Sequence, residues 1–497
     1  MMRPFLHAVA RRSGRMTALL IAALLLPALG GARPEVTLED TLNLSSSPGL
    51  LSAKPSIAIA TDPATNTGTV HVVWEEDDAE YLQLTGVAHR YRPFNLATGA
   101  WLGDWSAMDW VYESAREPAI AARGNTVVVA LVMPSPSVAD AQTSIALVRW
   151  DPVAGHWSSV PDSTLPQPLQ WGNETNYTAN CKQPDVSIDA LGDVWMTWID
   201  TNYDSKPFYA RVSIEPSSFG QLSALNEIFA YSDRSQSPRI ATGPDAGDPV
   251  YAAWSRAVPE LGQDSVFRSL QIGGHWDTSE INVGAHGRAP DIAVGPGGSV
   301  CTAWQEQVDG GAGQPDIYLD CNVPGHRGIN LSGTANDRSV EPSVIFGAPE
   351  VGPMVAWREQ QQSPDGSINF KPAEQAVAPI AIEGGPVSSP VIATIGGIVH
   401  AVWVKDDGTG GEDVFYGRFP SALTTPTSTP TATTRRTATP TRTPIRPTPT
   451  NTRRIPSGTP HDEATPTPPN TPISTIDIVR GRVYLPCTIV PRPQPQP

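Results

Sequence analysis

Two sets of charged residues recur at fixed places along the chain. Lys54, Arg116, Lys182, Arg234, Arg288 and Arg338 each stand one to four residues ahead of a proline. Glu75, Asp77, Asp200, Glu306, Glu359 and Asp406 each follow a tryptophan by one to three residues. Guanidinium groups in a concave site grip carboxylates through two parallel hydrogen bonds, which suits an acidic ligand. Clustered aspartates in Gly-rich loops suit Ca²⁺, a cation that takes six to eight oxygens. "DDGTGGEDVF" (406–415) is the best local candidate, although its spacing is not that of an EF-hand. The plain alternative is that the two sets pair with each other, each exposed pair contributing roughly 0–1 kcal/mol. His71 and His400 sit three residues before a tryptophan. The equivalent places hold Val128, Trp195, Tyr251, Cys301 and Met354, so both histidines read as packing groups rather than metal ligands. Trp101, Trp105, Trp110 and Trp171 are candidates for stacking on a sugar. No nucleophile elbow, phosphate loop or zinc spacing occurs.

A repeat must position these groups. Pro55, Pro118, Pro184, Pro238, Pro290, Pro342 and Pro390 are each followed two places on by a β-branched residue (Ile57, Ile120, Val186, Ile240, Ile292, Val344 and Ile392). A second apolar run then ends on Trp74, Leu131, Trp198, Trp254, Trp304, Trp357 or Trp403, roughly every 55 residues. Ile and Val suit a buried pleated surface, and the proline is expected either to open its strand, where a missing N–H costs least, or to sit on a strand with one free edge. The residue before the aromatic is small or β-branched, from Val73 to Val402. Each sheet is therefore read as carrying a large ring on one face and a tight slot on the other. A third strand follows in several copies, as in "VAHRYRPF" and "DIYLDCNV", and a fourth is read at "EINVG" (280–284) and "GINLS" (328–332).

Four strands per unit repeated around an axis make an all-β, seven-bladed β-propeller over residues 38–420, with six blades as the alternative count. The last copy lacks a fourth strand, and "TLNLSSS" (41–47) resembles "GINLSGT". The front of the chain is thus expected to complete the last blade and remove the open edges. Cys301 and Cys321 fall on neighbouring strands and are candidates for a cross-strand disulfide. Cys181 and Cys487 have no evident partner.

The flanks differ in composition. Arginines followed by the apolar run 18–29 and small residues read as a signal peptide over 1–32. The chain is then expected outside the cell, with no membrane insertion after signal removal. Residues 421–475 are Thr- and Pro-rich, have few large apolar side chains, and read as an extended disordered stalk. Residues 476–497 form a short apolar tail similar to the "YLP" endings of some bacterial surface proteins, which hints at retention at the surface. A net charge of −16 argues against a general nucleic-acid partner.

With the repeats laid out, residues 40–420 resemble the sialidase-like or BNR-like propellers of secreted bacterial proteins, on the Pro-x-[Ile/Val]-Ala…Trp pattern of "KPSIAIA" and "VHVVW". The resemblance implies a propeller. Sialidases have six blades and an Asp-box, Ser-x-Asp-x-Gly-x-x-Trp, which is absent here. Arg-Ile-Pro occurs only at 454–456, inside the stalk. No catalytic residue is carried over. The leading expectation is a monomeric, non-catalytic surface module that binds a glycan or a protein at its charged mouth, needing no cofactor. The alternatives are a sialidase-like glycoside hydrolase acting on acidic sugars, and a spacer without ligand.

Overall fold

The computed structural model describes residues 38–421 apart from several short loop segments. The predicted signal peptide, stalk, apolar tail and Cys487 lie outside the described residues.

Each repeat forms one antiparallel sheet. Blade 1 runs Ser52–Asp62, Thr67–Asp77, Thr85–Asn95 and Asp109–Tyr112, from the axis outward. Blades 2 to 6 occupy residues 116–171, 181–227, 235–280, 287–330 and 338–385 in the same order. In blade 2 the third strand, Thr143–Asp151, pairs with two short outer pieces, His156–Ser158 and Leu169–Trp171. Blade 7 takes three strands from Val387–Ile395, Ile398–Asp406 and Glu412–Pro420, and its fourth from Glu39–Asn43. Leu42 pairs with Tyr416 and Asn43 with Phe415, so the front of the chain closes a seven-bladed ring.

The aromatic wedges do the stacking. Trp74, Trp254, Trp304, Trp357 and Trp403 are at most 1% exposed. Each packs on the preceding blade: Trp357 against Ile317 and Leu319, Trp198 against Val132 and Ile145, and Trp74 on Val402 and Tyr416 of blade 7 across the closure. The small residue before the wedge faces the following blade, as Ala130 does toward Val186 and Met196. Leu131 fills the wedge place in blade 2, where Trp150 and Trp157 supply aromatic bulk from other strands.

Two details differ from the sequence expectation. The prolines do not open their strands but take the other expected place, a strand with one free edge. They lie inside the innermost strands at a β-bulge, which breaks the register between Ala53 and Ser56, between Arg288 and Asp291, and likewise in the other five blades. A bulge leaves a residue out of the ladder, so the missing proline N–H breaks no bond there. The fourth strand of blade 4 is His275–Glu280 rather than 280–284. Beyond it, the N–H groups of Val283 and Gly284 turn away to the carboxylate of Glu306. Cys301 lies directly opposite Cys321, and the two form a disulfide.

Candidate functional site

The bulge carries a consequence for the axis. The residue before each proline takes a left-handed conformation: Lys54, Glu117, Gln183, Ser237, Ala289, Glu341 and Ser389 all have φ between +46° and +55°. None is glycine, so each position is strained in a way that only its surroundings can hold. Seven such residues surround one cavity of about 340 Å³ at the face where the innermost strands begin. A second cavity of about 460 Å³ lies further along the same seven strands, lined mostly by Ala, Ile and Val with Arg123 at its rim.

Long polar side chains stitch the rim. Glu75 Oε1 accepts the N–H of Glu117 at 2.6 Å, Glu117 Oε2 that of Gln183, Gln183 Oε1 that of Ser237 at 2.9 Å, and Glu341 Oε2 that of Ser389 at 2.7 Å. Lys54 Nζ bridges Glu75 and Glu117, 3.1 Å from each.

One step deeper, the residue after each proline forms a second tier. Ser56, Asp185, Asp291 and Ser343 each accept a backbone N–H from the next blade, those of Ile120, Ile240, Val344 and Ile392. Arg239 stands between the two aspartates in chain order, with its Nε 3.6 Å from Asp291 Oδ1. Enclosure by the seven strands pushes the Asp185 carboxyl up to about 6. The charge of Asp291 adds to that shift, while Arg239 and the N–H of Ile240 oppose it. Burial likewise raises Asp291. Both carboxylates nevertheless line the open cavity. The site offers carboxylate, hydroxyl and amide acceptors around one guanidinium, a set that suits the hydroxyls of a sugar.

The residues singled out from the sequence separate into groups. Glu75 belongs to the rim just described. Glu306 and Glu359 are buried and accept the indole N–H of Trp304 and Trp357 at 2.6 and 2.8 Å. Glu76 does the same for Trp74. These carboxylates hold wedges and do not face the cavity. Asp200 is buried opposite Cys181, and the N–H of Asp77 bonds Leu51 O. Arg116, Arg234, Arg288 and Arg338 are exposed and Lys182 is half-buried, all outside the cavity lining. Arg288 pairs with Asp264. Asp406 lines a separate groove of about 220 Å³ between blades 6 and 7, with Arg358 and Glu412.

In the Asp/Gly-rich loop, Asp407 accepts the N–H groups of Gly49, Thr409 and Gly411 and the Thr409 hydroxyl. Those donors hold its carboxyl well below the usual range. Asp413 accepts Asn43 Nδ2, Ser45 Oγ and the N–H of Ser47 at 2.6–3.0 Å. A Ca²⁺ ion seeks a shell of acceptor oxygens, whereas these two carboxylates are met by donors. Their role here is to latch the closing segment. Trp101 is also a seam residue: Arg92 and Arg418 stack on it at 4.2 and 4.5 Å, and its indole N–H bonds Asp40. Trp105 packs on Tyr416, and Trp110 covers Gly86.

The deeper tier lies in strands that read as core, yet it leaves a signal in the sequence. The residue after the proline is polar in five repeats (Ser56, Asp185, Arg239, Asp291 and Ser343), inside strands otherwise chosen for burial. A polar group repeated at a core place needs a partner, and here it is the next blade at the axis.

No protein-family model matches the chain, and no curated protein matches it. Among solved structures the chain is similar to the β-propeller domain of the trilobed protease from Pyrococcus furiosus, at 9% identity over 76% of this chain and 97% of that one, TM-score 0.41. It is similar to an α-L-arabinanase of Penicillium chrysogenum, at 11% identity over 78% and 99%, TM-score 0.41. It is also similar to the Trypanosoma rangeli sialidase, at 7% identity over 74% and 55%, TM-score 0.37. The seven-bladed architecture rests on the strand pairing given above.

Proposed function

We propose that the protein is an exported, non-catalytic glycan-binding propeller whose ligand is an uncharged, hydroxyl-rich sugar held in the axial cavity. The observation that carries the reading is the polar second tier, with Asp185, Arg239 and Asp291 lining a cavity of about 340 Å³. That volume falls in the range of small-ligand sites, roughly 300–1,000 Å³. A carboxylate accepts hydrogen bonds from vicinal hydroxyls, and an enclosed site makes those bonds stronger than water does. The guanidinium of Arg239 has acids on both sides, which disfavours an acidic sugar. The signal peptide and stalk expected from the sequence would fit a module held out from a cell surface.

One observation favours the rival hydrolase reading. Asp185 retains a proton to about pH 6 beside a second carboxyl, as a general acid requires. Against it, Asp185 and Asp291 each tie one oxygen to a backbone N–H, in the manner of Ser56 and Ser343. That is a structural stitch shared by four blades.

The test is a glycan array followed by calorimetry with the best neutral oligosaccharide. Asp185→Asn and Asp291→Asn should each weaken binding at least 10-fold with little change in melting. Unchanged affinity in both variants removes the axial site from the account, and steady release of free sugar by the wild-type protein promotes the hydrolase.

A further inference from the structure

The innermost strands continue below the axial acids, and their next inward places are kept small. Residues two apart in a strand share a face, so Ala58, Ala121 and Ala393 stand below Ser56, Ala119 and Val391. The upper three line the cavity at the mouth, and the lower three line the second cavity of about 460 Å³. Round the ring the lower place is alanine in five blades (Ala58, Ala121, Ala241, Ala293 and Ala393) and serine in a sixth, Ser187. Alanine is depleted in strands. Crowding at the axis does not account for it, because a cavity remains where larger side chains would stand.

The lower chamber presents little that is polar. Ser187 Oγ and Thr242 Oγ1 lie 2.8 Å apart, Thr242 Oγ1 donates to Ile188 O at 2.8 Å, and Thr394 Oγ1 donates to Ile398 O at 2.9 Å. Arg123, the charged residue of the lining, donates to Gly243 O at 3.2 Å and to Pro244 O, a strap from blade 2 to the turn of blade 4. With these groups engaged on the protein, the chamber holds water poorly, and the rest of its wall is Ala, Ile, Val, Pro and Phe346.

The tier above is lopsided. Its charged side chains, Asp185, Arg239 and Asp291, come from blades 3 to 5. Blades 6, 7, 1 and 2 supply Ser343, Val391, Ser56 and Ala119. A molecule entering from the mouth meets charged groups on one side of the axis and small, uncharged side chains on the other. Below the second side lie Ala393, Ala58 and Ala121.

We propose that the two cavities act as one bore and that the ligand is a neutral sugar carrying an apolar aglycone. The sugar hydroxyls face blades 3 to 5, and the aglycone runs past Val391, Ser56 and Ala119 into the lower chamber. The inference rests on the axial reading above and adds to it the second half of the ligand. An alkyl and an aryl aglycone share this chemistry.

The test is calorimetry with the methyl, phenyl and hexyl glycosides of the array-selected neutral oligosaccharide, each protein's methyl glycoside serving as its own reference. A buried methylene raises affinity about fourfold, so the hexyl or the phenyl glycoside should bind the wild-type protein at least about 30-fold more tightly than the methyl. Which of the two gains more tells an alkyl aglycone from an aryl one. Ala121→Leu and Ala393→Leu fill the lower chamber from blades 2 and 7 and should bring the ratio below about threefold. The wild-type ratio needs no substitution, so it stands if a filled variant melts early.

No gain with either apolar glycoside on the wild-type protein, with methyl-glycoside binding lost in Asp291→Asn, overturns the bore and leaves the axial site standing. A gain that survives both leucine variants overturns it too, since the aglycone then lies elsewhere. Methyl-glycoside affinity unchanged in both Asp185→Asn and Asp291→Asn overturns the axial reading itself.

Discussion

Asp185 shows how a single side chain takes on two duties. One oxygen stitches blade 3 to blade 4 through the N–H of Ile240, while the carboxyl lines the cavity. Enclosure holds its proton up to about pH 6. A sugar hydroxyl is accepted better by the carboxylate than by the acid, so affinity should be full above about pH 7 and weaken as the pH falls through 6. Calorimetry at pH 7.5 and 5.0 checks this, and Asp185→Asn should flatten the profile. A buried carboxylate that holds a wedge is different in kind. Glu359 accepts the indole of Trp357 and the hydroxyl of Ser339. Glu359→Ala should cost about 2–3 kcal/mol by denaturant melt, because two buried donors lose their acceptor, and should leave sugar affinity unchanged.

At the scale of elements, the interfaces between blades have their own titration. His71 and His89 share a hydrogen bond at 3.1 Å between Trp150, Trp157 and Tyr91. His400 bonds Tyr416 at 2.8 Å across the hairpin of blade 7. Burial pushes His71 and His400 down to about 3 and lowers His89 as well. The unfolded chain takes up protons on these rings near pH 6.5 and the fold does not. Stability is therefore full above pH 6.5 and falls as the pH drops toward 3, by at most about 1.4 kcal/mol per pH unit for each ring. Asp185 works in the opposite sense below pH 6 and offsets part of the loss. Melting midpoints from pH 7.5 to 4 should fall, and His71→Phe should make the fall shallower.

The same elements show what a sequence discloses. Pro290, Ile292 and Trp304 announce a blade because burial, turn and wedge each demand a residue type. The left-handed turn at Ala289 is not legible, since alanine carries no mark of it. Nor does Glu306 declare whether it faces solvent or Trp304: two residues of spacing fit either, and only the neighbouring blade decides. The charged loops read as a mouth, yet of those residues only Lys54 and Glu75 stand at the rim of the axial cavity, while the axial acids are hidden in strands that read as core.

The whole molecule depends on closure. The last blade borrows its outer strand from the front of the chain, and Asp413, 2% exposed, collects three donors from residues 43–47. Arg418 adds ion pairs to Glu39 and Asp40. Asp413→Ala should lower stability by about 3 kcal/mol, since its bonds are buried and charge-assisted. Removal of residues 38–47 should expose the edge of Glu412–Pro420 and bring on concentration-dependent association in light scattering. A closed ring matters for function because the axial cavity takes a wall from every blade; an open ring has no axis to line.

The most direct measurement of that claim is a crystal structure of the protein with the neutral oligosaccharide selected on the array. The account predicts a sugar ring on the axis, touching Asp185, Arg239 and Asp291. A ligand seated in the groove between blades 6 and 7 or on the seam around Trp101, with the axis left to water, would contradict it.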